Sequence, residues 1–216
     1  MSNGYPTGFS VAVVGADPDY GFWTCCGGNA VVCGRAGGKA RGAVIARALA
    51  DLPLPDPMNT TAAAQTYAKR LSEHLAASGD EAAGVDLLVL HREEAGLGGW
   101  CIGSAGAWAI QPSVQRCTPD RTVGAQLRML GAAVDERTAH LHSTRILARG
   151  IEGGDVFYGA GNRFVALIGW PLPTLDETLP AELGSNDDTE VLATLVRLVH
   201  RRCAHGLGLV AVWTFE

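Results

Sequence analysis

Residues 29–52, NAVVCGRAGGKARGAVIARALADL, constrain the fold of this chain more than any other stretch. Asn29 to Cys33 is a short apolar, β-branched run bounded by Gly27-Gly28 and Gly34, which predicts a buried strand. From Gly42 onward Val44, Ile45, Ala48, Leu49 and Leu52 recur at helical spacing until Pro53 and Pro55 stop the helix. Between them, Gly34-Arg35-Ala36-Gly37-Gly38-Lys39 predicts a glycine turn that brings strand and helix close together. Strand, glycine turn and helix is also the setting of the phosphate-binding loop G-x-x-x-x-G-K-[ST]. That match fails twice. Gly34 to Gly38 is one residue too short, and Ala40 stands where a magnesium-binding hydroxyl is required.

The whole chain has 216 residues, enough for one domain with a sizeable core. It is 47% hydrophobic and 18% charged, with a net charge of −5. No lysine- or arginine-rich run is present, so no nucleic-acid partner is expected. No apolar run approaches the ~20 residues of a membrane span. The first residues, MSNGYPTGF, lack the positive start and apolar core of a signal peptide, and a cytoplasmic protein is expected. Six cysteines form no C-x-x-C pair, which predicts reduced thiols, with Cys33 and Cys101 inside apolar strands.

In chain order, Phe9–Val14 predicts a first strand, Asp17-Pro18-Asp19 a turn and Phe22–Cys25 the start of a second strand. Thr60 or Thr61 can cap a helix over Ala62–Ala77 that ends at Gly79. Val85–Leu90 is a nearly continuous apolar strand. His91–Gly99 is expected as its turn, and Trp100-Cys101-Ile102 as the partner strand. A helix over Thr122–Ala133 and an extended run over Thr138–Leu147 are expected next, with His140 and His142 on one face of that run. Val156–Tyr158 predicts a strand. Asn186–Ala204 predicts a helix capped by Asn186 or Asp187, and Leu207–Trp213 predicts a closing buried strand.

Four segments resemble the metal-dependent PP2C (PPM) protein phosphatases. Val31 to Gly42 lies without a gap on the family's strand V-V-A-D-G-M-G-G-H and the helix start after it. Trp100-Cys101-Ile102-Gly103-Ser104-Ala105-Gly106 lies on V-A-N-V-G-D-S-R. Ile151 to Phe164 is set on P-G-D-x-L-L-L-A-S-D-G-L-x-D, and the closing helix and strand on the family's D-N-A-T-V-V-V-V ending. The resemblance implies an α+β sandwich of four layers, αββα, with two antiparallel sheets flanked by helix pairs, over residues 1–216. It also implies where the metal-binding aspartates would be. Gly34, Ser104, Ala160 and His205 stand in those places, and Asp19 matches a further acid. Val14 stands where the family has a phosphate-binding arginine.

A two-metal phosphatase needs carboxylates to hold two cations ~3.5–4 Å apart and activate water. Hard cations require anionic oxygen ligands, which glycine and alanine lack. Arg35 and Lys39 would add positive charge beside the site. The expectation is therefore a catalytically inactive relative with no cofactor and no metal, working through protein partners. Its contact surfaces would be the degenerate cleft and the segment Val114–Arg145. Two alternatives stay open. One is a phosphate- or phosphopeptide-binding module that uses Arg35, Lys39 and Arg41. The other is an enzyme with relocated groups among Asp17, Asp19, Ser104, His140, His142 and His205.

Overall fold

The structure is a computed structural model that describes residues 5–27, 29–39, 41–80, 83–110, 113–135, 145–169, 179, 183, 187–202 and 207–215. Twelve strands and four helices are described. They are β1 (Phe9–Val14), β2 (Tyr20–Gly27), β3 (Ala30–Gly37), α1 (Gly42–Ala50), α2 (Thr61–Ser78), β4 (Gly84–Glu93), β5 (Gly96–Ile102) and β6 (Ala105–Ala109). Then come β7 (Gln115–Arg116), α3 (Val123–Met129), β8 (Arg145–Leu147), β9 (Gly150–Glu152), β10 (Asp155–Ala160), β11 (Arg163–Gly169), α4 (Asp188–Arg202) and β12 (Gly208–Thr214).

The strands form two antiparallel sheets. One runs β1-β12-β11-β6-β7 and the other β10-β5-β4-β3-β2, with β8 and β9 attached beside β4. The chain crosses between sheets at Gly103-Ser104, and the left-handed Gly103 (φ 77°) makes that corner.

Strand alternation divides the apolar residues into three layers. Val31 and Cys33 of β3 and Leu88 and Leu90 of β4 point between the sheets, against Phe164, Ala166 and Leu209 of the other sheet. Val32, Leu87 and Val89 point outward against Ile45, Leu49, Tyr67, Leu71 and Leu75 of α1 and α2. Val165, Leu167, Val210 and Val212 face Val191, Leu195 and Val199 of α4, together with Leu179 and Leu183. This is the expected αββα order, and it explains why Val85–Leu90 lacks polar alternation: both of its faces are covered. Each fully buried large side chain contributes about 1.5–3 kcal/mol.

Local signals place the elements. Thr60 caps α2 by accepting from Ala63 N, and Gly79 ends it in the left-handed conformation (φ 71°). Asp187 accepts from Thr189 N at the start of α4. The buried tryptophans Trp23, Trp100, Trp108 and Trp213 are core residues.

Three expectations need correction. The glycine turn is shorter than predicted, because β3 runs on to Gly37 and carries Gly34 in its interior. The hairpin after β4 turns at Glu94-Ala95 instead of spanning His91–Gly99. Glycines 96, 98 and 99 are strand residues there, needed because a Cβ would strike Gly159 O, His91 or Val89 O. The helix capped by Thr122 covers only Val123–Met129. The run from Thr138 to Thr144, with His140 and His142, lies outside the described residues.

Candidate functional site

The strands of the β10-β5-β4-β3-β2 sheet end together at one edge of the sandwich. The pairs Tyr20↔Gly37, Gly37↔Gly84, Leu87↔Ile102 and Asp155↔Cys101 mark this end. The Gly103-Ser104 corner leaves from here to the other sheet.

Alternation along β3 decides which side chains enter the space between the sheets. Val31 and Cys33 point inward, so Arg35 does too. Gly34 points to the opposite face, beneath Trp23, where a Cβ would overlap the indole ring. The position inherited from the resemblance therefore corrects in one respect. A side chain at residue 34 would enter the helix-covered core, and the residue that reaches the cleft is Arg35.

Arg35 meets Asp86, its direct cross-strand neighbour on β4. Nε donates to Asp86 Oδ2 at 2.6 Å, and Nη2 forms an ion pair with the same oxygen. The two side chains are only 18% and 14% exposed. The guanidinium also stands 5.5 Å from the Tyr20 ring centre. Asp86 Oδ1 accepts from Ser104 N at 3.1 Å, and a Cβ on Gly103 would overlap that same oxygen. Ser104, 1% exposed, donates its hydroxyl to Gly169 O, and Gly169 N donates to Ser104 O at 3.1 Å. One polar chain thus runs from β2 through β3, β4 and the corner to the end of β11, linking both sheets.

Asp19 lies in the exposed turn before β2, at this same end. Its backbone N donates to Asp17 Oδ1 at 2.7 Å, and its carbonyl accepts from Gly38 N at 2.9 Å. Lys39 is exposed in the turn after β3. His205 lies outside the described residues.

Ala160 is a correction. It ends β10 opposite Gly96, at the far end of the sheet from Asp86, and its side chain is exposed. The strand that does end beside Ser104 is β11. Asp155 itself holds the segment before α3: Arg121 Nε donates to its Oδ2 at 2.8 Å and Nη2 to its Oδ1 at 2.5 Å. That bond holds the Arg121 guanidinium protonated above its usual range.

Sequence reasoning missed Asp86. The signal was there: one acid in the run Val85-Asp86-Leu87 and one base in Cys33-Gly34-Arg35, each the lone charge in its apolar run. Two isolated opposite charges in neighbouring buried strands point to each other, because neither is stable there unpaired.

No sequence-family profile matches the chain, and no curated protein does. Solved structures do. The catalytic domain of the serine/threonine phosphatase PstP, in complex with two manganese ions, superposes with a TM-score of 0.72 at 17% identity, over 96% of this chain and 98% of that one. The PPM phosphatase MsPP from Mycobacterium smegmatis, in complex with cacodylate, gives 0.71 at 18%, over 97% and 99%. Stp1 from Staphylococcus aureus gives 0.69 at 11%, over 100% and 98%. The fold is PP2C-like.

Against the two-metal centre that a PP2C-like fold implies, the described residues of this end do not fit. Among the described residues no group of three or more His, Cys, Asp or Glu side chains is placed to share an ion. Asp86 is already bound by a cation of the chain itself, and Gly34 has no ligating side chain. Serine chemistry is not set up either. The Ser104 proton goes to a backbone carbonyl, which cannot act as a base. Of the other relocated candidates, Asp17 and Asp19 share one exposed turn, while His140, His142 and His205 lie outside the described residues.

The described thiols are free. Burial pushes Cys25 up to about 11 and Cys101 up to about 12, with the Asp155 charge adding to the latter. Such thiols stay protonated and are poor nucleophiles.

Proposed function

We propose that this protein is a pseudophosphatase, a PP2C-like fold that does not hydrolyse phosphate esters. It acts in the cytoplasm as a protein-binding adaptor, regulatory or structural subunit of a larger complex. The observation that carries this reading is the ion pair between Arg35 and Asp86, which sets an internal cation against the acid that β4 points into the cleft. In-line attack on phosphorus needs two cations held by anionic oxygens, and this arrangement offers neither the charge nor the donors.

Support for a binding role comes from the segment after the cleft. Met129 and Leu130, at the end of α3, are 88% and 82% exposed side by side, which is unusual for large apolar side chains without a partner. The phosphate-binding alternative needs Arg35 and Lys39 to present their charges together. Arg35 is engaged by Asp86 and Lys39 sits on the surface, so the geometry favours the adaptor.

The test is hydrolysis of an aryl phosphate with and without millimolar manganese. No turnover above buffer is expected in either condition. Manganese-dependent turnover would overturn the proposal.

A further inference from the structure

We infer that Arg35 is the resident cation of this cleft: its guanidinium holds Asp86, and through it the Gly103-Ser104 corner, in the role a divalent ion would otherwise fill. The inference rests on the pseudophosphatase reading and states how the cleft keeps its shape without a metal.

The geometry carries it. Asp86 lies in an apolar strand between Val85 and Leu87, which are 2% and 0% exposed, and cannot remain there as an unmatched charge. Both of its oxygens are engaged, Oδ2 by Arg35 and Oδ1 by Ser104 N. Oδ1 also fills the space over Gly103 that any Cβ would need, so the carboxylate and the left-handed corner fix each other. Beyond the corner, the paired bonds between Ser104 and Gly169 fasten the second sheet. A positive charge at Arg35 is thus the first link in the connection between the sheets at this end.

Guanidinium suits the place. It is weakly hydrated, so burial costs it less than an ammonium, and its flat face accepts the Tyr20 ring. As part of the chain, it cannot be removed by a chelator. The chain would therefore hold its cleft in metal-free solution.

Thermal unfolding of the full chain tests this with manganese chloride and EDTA as probes. The wild type should unfold at the same temperature, within about 1 °C, in about 5 mM of either. Arg35→Met, which keeps most of the apolar stem, should unfold about 4–8 °C lower. Asp86→Asn should also lower the midpoint, and the double variant should lose less than the sum of the two. Manganese should restore part of the loss in Arg35→Met, where Asp86 is freed, and none in the double variant. If Arg35→Met does not fold, Arg35→Lys keeps a cation in reach and should stay insensitive to manganese.

Additive losses, or no response of Arg35→Met to manganese, would overturn the role of Arg35 and leave the lack of phosphatase activity standing. A wild-type midpoint raised several degrees by manganese would overturn both.

Discussion

The same two strands behave differently over their two halves. Along β3 and β4, residues 31–33 and 87–90 pack into the apolar cores on both faces. A few residues away on the same strands, Arg35 and Asp86 form a charged pair on the face that Cys33 and Leu88 continue as core. The lower half is what any PP2C-like sandwich requires, because two sheets must bury their facing sides. The upper half adds a charged pair to that requirement. There the fold keeps its layers with a charged pair in place of apolar contacts, each charge satisfied by the other.

The largest expected effect separates residue 34 from residue 35. Gly34→Asp restores the aspartate of the family pattern, yet the carboxylate would be driven into Trp23 and the helix-covered core. We expect a loss of about 4 kcal/mol or more in urea unfolding, or no folded protein at all. A stable Gly34→Asp variant that binds manganese would break the distinction between the two faces.

Next is the apolar half. Leu88, fully buried between the sheets, should cost about 3 kcal/mol on truncation to alanine, measured by the same unfolding. That loss should not change with manganese, because it touches none of the cleft contacts.

Alkaline pH gives a smaller effect. Cys25 and Cys101 are raised in the folded state to about 11 and about 12 from 9.0. Below pH 9 the thiols are protonated in both states, and their contribution is fully present. Above it the unfolded chain ionises first, so stability should fall between about pH 9 and 11 by up to about 2 kcal/mol for each buried thiol. A flat profile over that range, followed by chemical denaturation, would show that these thiols are reached by water.

The smallest effect is at the surface. Arg121→Ala removes the bidentate contact to Asp155, half exposed on the arginine side, and should cost only about 0.5 kcal/mol. Limited proteolysis should nevertheless cut sooner between residues 117 and 130, since that contact fastens the start of α3 to β10. A loss comparable to that of Arg35→Met would mean that surface and cleft pairs are alike.

Much of this was legible in the sequence. Phe9–Val14, the α2 limits with their Thr60 and Gly79 caps, and the α4 cap at Asp187 follow from local signals that tertiary contacts do not overrule. The glycines were harder. Gly34 and Gly96 look like turn residues, but they are strand residues kept small by Trp23 and by the β10 backbone, neighbours distant in sequence. The site was read in part. Ser104 lies at the corner between the sheets beside Asp86, while Ala160 lies at the opposite end of its sheet. Asp86 was hidden because a single acid in an apolar run carries no motif. Its meaning comes from Arg35 across the ladder, fifty-one residues away in the chain.

The most direct measurement is anomalous diffraction from crystals grown in manganese chloride. The predicted result is an intact pair between Arg35 and Asp86 with no manganese peak beside it. One or two manganese ions bonded to Asp86, with Arg35 turned away, would contradict the account.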